Sequence, residues 1–173
     1  YTLKETAAPD GYAYAEDITF TVEKDGTITV DAANKDENGV IVMKDAVTKV
    51  SIDKRDITGE NEVPEATLQV KDEAGKVVEE WTSSDKPHDI SGKLIAGKTY
   101  TLHEENAPDG YAYAEDITFT VEKDGTITVD AANKDENDVI IMKDDVTKVS
   151  ISKKAMTGSD ELAGAELKLY EVT

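Results

Sequence analysis

In the stretch Ile117-Thr118-Phe119-Thr120-Val121-Glu122-Lys123-Asp124-Gly125-Thr126-Ile127-Thr128-Val129, apolar residues and threonines take turns on either side of a short polar break. A period of two built from β-branched and aromatic residues suits a half-buried strand. The break contains Asp124-Gly125, and an Asp-Gly pair between two such runs marks a hairpin, because glycine enters left-handed backbone conformations without steric cost. Outward from this hairpin, similar runs at 50–54, 66–71, 76–82, 98–104 and 139–144 read as further strands. Thr58-Gly59, Glu73-Ala74-Gly75, Ser91-Gly92 and Ala107-Pro108-Asp109-Gly110 supply the turns between them. No segment carries a sustained helical stripe. About seven short strands, spaced roughly a dozen residues apart, predict an all-β, antiparallel, immunoglobulin-like sandwich of roughly 100 residues.

The same hairpin occurs twice. Ala-Pro-Asp-Gly-Tyr-Ala-Tyr begins at Ala8 and again at Ala107, an offset of 99, and residues 1–47 and 100–146 differ at only six aligned positions. Residues 147–173 align with 48–74 at the same offset and match at 11 of 27 positions. A tandem array with a domain-sized period of 99 residues follows: the C-terminal part of a preceding repeat (1–47), one complete domain (48–146) and the N-terminal part of a following repeat (147–173). Almost no linker separates them at Asp144-Asp145-Val146-Thr147, which predicts a stiff rod with neighbouring repeats of the same chain as partners.

Composition removes most other functions. The 173 residues carry 38 Asp+Glu against 19 Lys+Arg, a net charge of −19, which disfavours nucleic acid as a partner. No apolar run approaches the roughly 18 residues needed for membrane insertion. The chain opens on Tyr1-Thr2-Leu3 without Met or a basic leader, and reads as part of something longer. There is no cysteine, so disulfides, thiolate nucleophiles and Cys-ligated zinc are all excluded. Two histidines, His88 and His103, are too few for a multi-histidine metal site, and no phosphate-binding glycine motif is present. No metal, no cofactor and no turnover enzyme is expected.

Three strands break their own alternation with a charge. Val50 and Ile52 are followed two residues on by Lys54, Tyr100 and Leu102 by Glu104, and Ile140 and Met142 by Asp144. Parity turns all three charges inward with the apolar residues. Unpaired buried charges are costly, so the economical arrangement is that the three meet. An ordinary buried ion-pair network satisfies that condition. So does a reaction: burial favours the neutral amine and the protonated carboxyl, one a nucleophile and the other an electrophile, while the second carboxyl shuttles protons.

These residues resemble those of the Cna B-type, prealbumin-like domains of Gram-positive pilins and surface adhesins. The resemblance rests on Val50-Ser51-Ile52-Asp53-Lys54, on Tyr100-Thr101-Leu102-His103-Glu104 followed by Ala107-Pro108-Asp109-Gly110-Tyr111, and on Ile140-Ile141-Met142-Lys143-Asp144. Val63-Pro64-Glu65-Ala66 and Leu162-Ala163-Gly164-Ala165 stand where the family has a Leu-Pro-Gly-Ala-like segment. The resemblance implies an autocatalytic, single-turnover isopeptide bond between Lys54 and Asp144, with Glu104 as proton shuttle. Asp144 stands where most of the family has Asn, so water would leave instead of ammonia. Glu5 and Asp45 are the equivalent residues in the first copy, and Lys153 in the third. The implied role is a structural stalk repeat of a secreted, cell-wall-anchored adhesin or pilus-like fibre, with any host surface ligand bound by other domains.

A carbohydrate- or protein-binding adhesin module is the main rival, but it calls for clustered exposed aromatics, and aromatics make up 6% of this chain. Trp81 is expected in the core, and Tyr111 and Tyr113 are expected to pack across the sandwich. The oxygen-rich stretch Asp130-Ala131-Ala132-Asn133-Lys134-Asp135-Glu136-Asn137 does not have the spacing of a calcium loop and reads as a solvated acidic turn. His88 and His103 read as surface or edge residues.

Overall fold

The computed structural model describes residues 1–170 and 172. In the first copy, β1 (Thr2–Leu3), β2 (Ile18–Val22) and β3 (Ile28–Val30) form an antiparallel sheet in that order. A 3₁₀ turn at Ala32–Asn34 follows. The region from residue 48 onward contributes β4 (Ser51–Asp56), β5 (Thr67–Lys71), β6 (Val77–Thr82), β7 (His88–Asp89), β8 (Lys98–Asn106), β9 (Ile117–Val121), β10 (Ile127–Thr128) and β11 (Ile140–Asp144). These build two sheets, a five-stranded one in the order β10-β9-β8-β5-β6 and a three-stranded one in the order β11-β4-β7. The domain is all-β.

The alternating residues fill the space between the sheets. Val50 and Ile52 meet Ile140 and Met142 on one side, and Leu68, Val70, Leu102, Phe119 and Val121 on the other, all of them buried. The Tyr100 and Phe119 rings stack with centroids 5.8 Å apart. Trp81 sits at the margin of this core, half-buried, where it stacks on His88 of β7 with centroids 4.5 Å apart. Tyr113 does not pack across the sandwich as expected. It is 63% exposed, because the Pro-Asp-Gly turn carries it to the end of the domain, outside the two layers.

One pairing departs from the antiparallel expectation. β11 lies beside β4 in parallel, with Ile140 opposite Ile52, Met142 opposite Lys54 and Asp144 opposite Asp56. A period of two fixes which face a residue occupies but not the direction of the strand. Direction is set here by the crossover from β10 through the 3₁₀ turn at Ala131–Asn133. Parallel first and last strands mean that the chain enters the domain at one pole and leaves it at the other.

Near-identical sequence has two fates in the two copies. Tyr100, Leu102 and Val121 are 4%, 0% and 0% exposed, whereas Tyr1, Leu3 and Val22 are 79%, 40% and 47% exposed. β8 and β9 are covered by the facing sheet, while among the described residues no strand covers the same face of β1 and β2. Burial is therefore a property of the assembled sandwich and not of the hairpin. Urea denaturation of the full chain is expected to show a loss of about 3–5 kcal/mol for Phe119→Ala, and less than about 1 kcal/mol for the counterpart Phe20→Ala.

Candidate functional site

The three charges predicted to turn inward do so, and they meet. On β4, Val50 and Ile52 point into the core and Lys54 continues their row with a side chain 1% exposed. Glu104 of β8 and Asp144 of β11 have side chains without exposure. Asp144 is the diagonal neighbour of Lys54 across the parallel pair, two positions beyond Met142. Glu104 reaches them from the facing sheet.

Lys54 Nζ donates to Asp144 Oδ1 and lies 3.0 Å from Glu104 Oε1. The other Glu104 oxygen, Oε2, accepts the Ala114 N–H at 2.7 Å, which fixes the carboxyl plane. Asp144 Oδ2 is buried without a hydrogen-bond partner among the described residues. Two carboxylates beside one ammonium would leave a net negative charge in an apolar core, a state that burial strongly disfavours. The response falls on Asp144. Burial pushes its carboxyl up to about 6, against the pull of the Lys54 amine and with help from the Glu104 charge. An amine and a carboxyl with a raised pKa are thus held in contact, beside a second carboxyl with a free oxygen.

The neighbouring Asp145 is half-exposed and accepts from Lys148 Nζ at 2.8 Å, away from Lys54. In the first copy, Glu5 accepts the Ala15 N–H at 2.7 Å, the same bond that Glu104 makes to Ala114. Asp45 is half-buried and Lys153 is exposed. No ion pair or hydrogen bond joins Glu5, Asp45 and Lys153 among the described residues. His103 Nδ1 lies 2.6 Å from Asp116 at the surface, and His88 Nε2 lies 3.0 Å from Glu79 on the edge strand. In the acidic stretch, Asp130 caps the Ala132 N–H at 2.8 Å, and Asp135 accepts from the Asn137 and Val139 N–H groups. Those carboxylates serve their own backbone.

A third buried carboxylate escaped the alternation because it lies on the other face of β4. Asp53 is 2% exposed, and its Oδ2 accepts from Arg55 Nε at 2.7 Å. Burial and the adjoining Asp53 carboxylate raise Glu62 to about 7. This cluster clamps the outer face of β4 beneath the 57–63 loop, and it holds Lys54 in register from behind.

The family model described as SpaA, prealbumin-like fold domain, matches residues 1–36 and 48–135. The chain belongs to this family. Among solved structures, the SpaA-family chain is similar to the pilus-presented adhesin Spy0125 (Cpa), with 34% identity over 49% of this chain and 19% of that one, and a TM-score of 0.42. It is also similar to the pilus adhesin SpaC of Lactobacillus rhamnosus GG, with 19% identity over 86% of this chain and 25% of that one, and a TM-score of 0.47. Against a C-terminal fragment of SpaC, the coverage is 86% of this chain and 76% of the fragment, with the same identity of 19% and a TM-score of 0.47. The chain spans about a fifth of the length of Spy0125 and a quarter of SpaC. No curated protein matches it.

Replacing Lys54 tests the electrostatics of the site. Lys54→Ala removes the groups that hold the Asp144 pKa down, so it rises beyond about 6. A carboxyl whose folded pKa lies above its unfolded value contributes stability that is complete below the unfolded value and lost as pH rises through the folded one. Urea denaturation of Lys54→Ala should therefore show stability falling from about pH 4 up through the raised Asp144 value above about 6, by roughly 2–3 kcal/mol relative to the Lys54→Ala/Asp144→Asn double variant.

Proposed function

We propose that residues 48–146 form a load-bearing stalk repeat of a bacterial surface adhesin or pilus-like fibre, closed by an isopeptide bond between Lys54 and Asp144. The observation that carries this reading is the fully buried contact between the Lys54 amine and the Asp144 carboxyl, with Glu104 Oε1 at 3.0 Å. Membership of the SpaA prealbumin-like family supports an extracellular, cell-wall-attached setting.

The chemistry balances within the trio. Neutral Lys54 Nζ attacks Cγ of protonated Asp144, and Glu104, as a carboxylate, accepts a proton from the attacking nitrogen. The tetrahedral centre collapses, the Cγ–OH bond breaks, and Glu104 returns its proton to the departing hydroxyl. One C–N bond forms, one C–O bond breaks and one water leaves. Fixed contact in a dry core supplies an effective molarity of about 10⁵–10⁸ M, which lets an unactivated acid condense with an amine. Glu104 is held to one geometry by the Ala114 N–H, so the same oxygen can act first as base and then as acid.

The bond would close a loop between positions 90 apart, stabilising the domain by about 4–5 kcal/mol by analogy with disulfides. Its mechanical effect is larger. Tension that enters through β4 and leaves through β11 shears the parallel ladder between them, and an amide between Lys54 and Asp144 carries that tension directly. The 89 positions between them lie off the load path. Reductants do not open an amide, which suits an extracellular protein without cysteine.

Intact-protein mass spectrometry tests the bond. The folded protein should be lighter than its sequence mass by one water, Lys54→Ala and Asp144→Ala should each show the full sequence mass, and Glu104→Gln should remain uncondensed. Folded wild-type protein at full sequence mass would leave Lys54 and Asp144 as a plain ion pair and remove the strap.

A further inference from the structure

The end of the first copy is seated on the domain that follows it. The backbone of the Ala8–Tyr14 turn pairs with the junction 46–48 that leads into the next domain: Ala13 N–H donates to Ala46 O at 2.8 Å, and Thr48 N–H donates to Gly11 O at 2.9 Å. The same pairing recurs in the second copy, where Ala112 N–H donates to Asp145 O at 2.9 Å and Thr147 N–H to Gly110 O at 2.8 Å. This face is therefore built into every copy. Among the described residues, only the first copy has another domain against this face.

Three contacts cross from the first copy to the next domain. Tyr14 N–H donates to Lys123 O at 2.7 Å, and Lys123 Nζ lies 5.2 Å from the centroid of the Tyr14 ring. The Thr48 hydroxyl, at the start of the next domain, lies 3.2 Å from Gly11 O, and Thr48 is tied into its own domain by its carbonyl, which accepts the Gly92 N–H at 2.9 Å, and by its hydroxyl, 3.2 Å from Leu94 O. Gly11, Ala13 and Thr48 are buried, whereas their counterparts Gly110, Ala112 and Thr147 are exposed.

The glycines show how tight the seat is. A Cβ on Gly11 would stand 2.1 Å from Gly92 O, and one on Gly125 would stand 3.0 Å from the Ala13 Cβ. Their counterparts, Gly110 and Gly26, have the same left-handed backbone (φ +87 and +85, against +83 at both Gly11 and Gly125) and nothing within 4 Å. Equal conformation with unequal surroundings separates a turn requirement from a contact requirement.

We propose that this face is a rigid joint between consecutive repeats: the Pro-Asp-Gly-Tyr turn and exit segment of one copy dock on the 91–94 and 123–125 loops of the next. The face at Gly110, Ala112 and Tyr113 is then the docking surface for a further copy of the same repeat. The joint deepens the stalk reading, since a fibre of beads transmits orientation only if its joints are fixed, but it requires no bond between Lys54 and Asp144.

Amide hydrogen exchange by NMR on the full chain tests it. Tyr14 and Tyr113 share the same local sequence, so their intrinsic exchange rates match, and Tyr14 should exchange at least about tenfold more slowly. Gly125→Ala and Gly11→Ala should erase that difference, Gly26→Ala and Gly110→Ala should preserve it, and slow exchange at Leu102 in each variant verifies the folded domain. Equal exchange of Tyr14 and Tyr113 in the wild type, or undiminished Tyr14 protection in Gly125→Ala with Leu102 still protected, would overturn the joint. The mass of the same samples reports the strap separately, so a condensed domain with a loose Tyr14 refutes the joint alone.

Discussion

One amine and two carboxyls share a site from which water is excluded, and the sandwich is organised around that encounter. Three separately buried charges would each carry a desolvation cost of several kcal/mol, more than a domain of this size can absorb. Brought together, they cannot all be ionised comfortably either. Burial raises the Asp144 carboxyl, with a smaller push from the Glu104 charge, and a raised carboxyl is also what an acyl acceptor requires. The electrostatic cost and the reactivity have the same origin.

The placement of the trio follows from topology. Lys54 and Asp144 can touch because β4 and β11 are parallel neighbours, while Glu104 can approach only from the facing sheet. An antiparallel closure would have returned the chain to the pole where it entered. The parallel one puts entry and exit at opposite poles, so any tension along the chain would run as shear through the strand pair that holds Lys54 and Asp144. The joint at Gly11 and Gly92 lies at the entry pole, and its exposed counterpart at Gly110 lies at the exit pole.

Much of this was legible in the sequence wherever it depended on the face of a strand. The alternation located β4, β5, β6, β8, β9, β10 and β11 to within a residue or two, and parity alone turned Lys54, Glu104 and Asp144 inward. Features set by direction or by long-range approach were not legible. Strand period is blind to parallel pairing. β7 is two residues long, too short to show any period, and so His88 read only as an edge residue. Asp53 sits on the face that alternation assigns to solvent, and it is buried by the 57–63 loop and by Arg55. Tyr113 read as core because aromatic residues usually bury, but the turn before it places it at the pole.

The two copies of the hairpin separate what local sequence determines from what context determines. Both copies close the same turns, pair the same strands and present the same carboxyl to the same backbone amide, Glu5 to Ala15 and Glu104 to Ala114. These features are local, and they survive without the facing sheet. Burial of Tyr100 and Leu102 and the meeting of Lys54 with Asp144 require strands that lie far apart in the chain. Glu104 is thus oriented by its own hairpin before the amine arrives. On the proposed reading, the local sequence places the proton acceptor and completion of the sandwich brings Lys54 and Asp144 to it, so condensation would be confined to the folded domain.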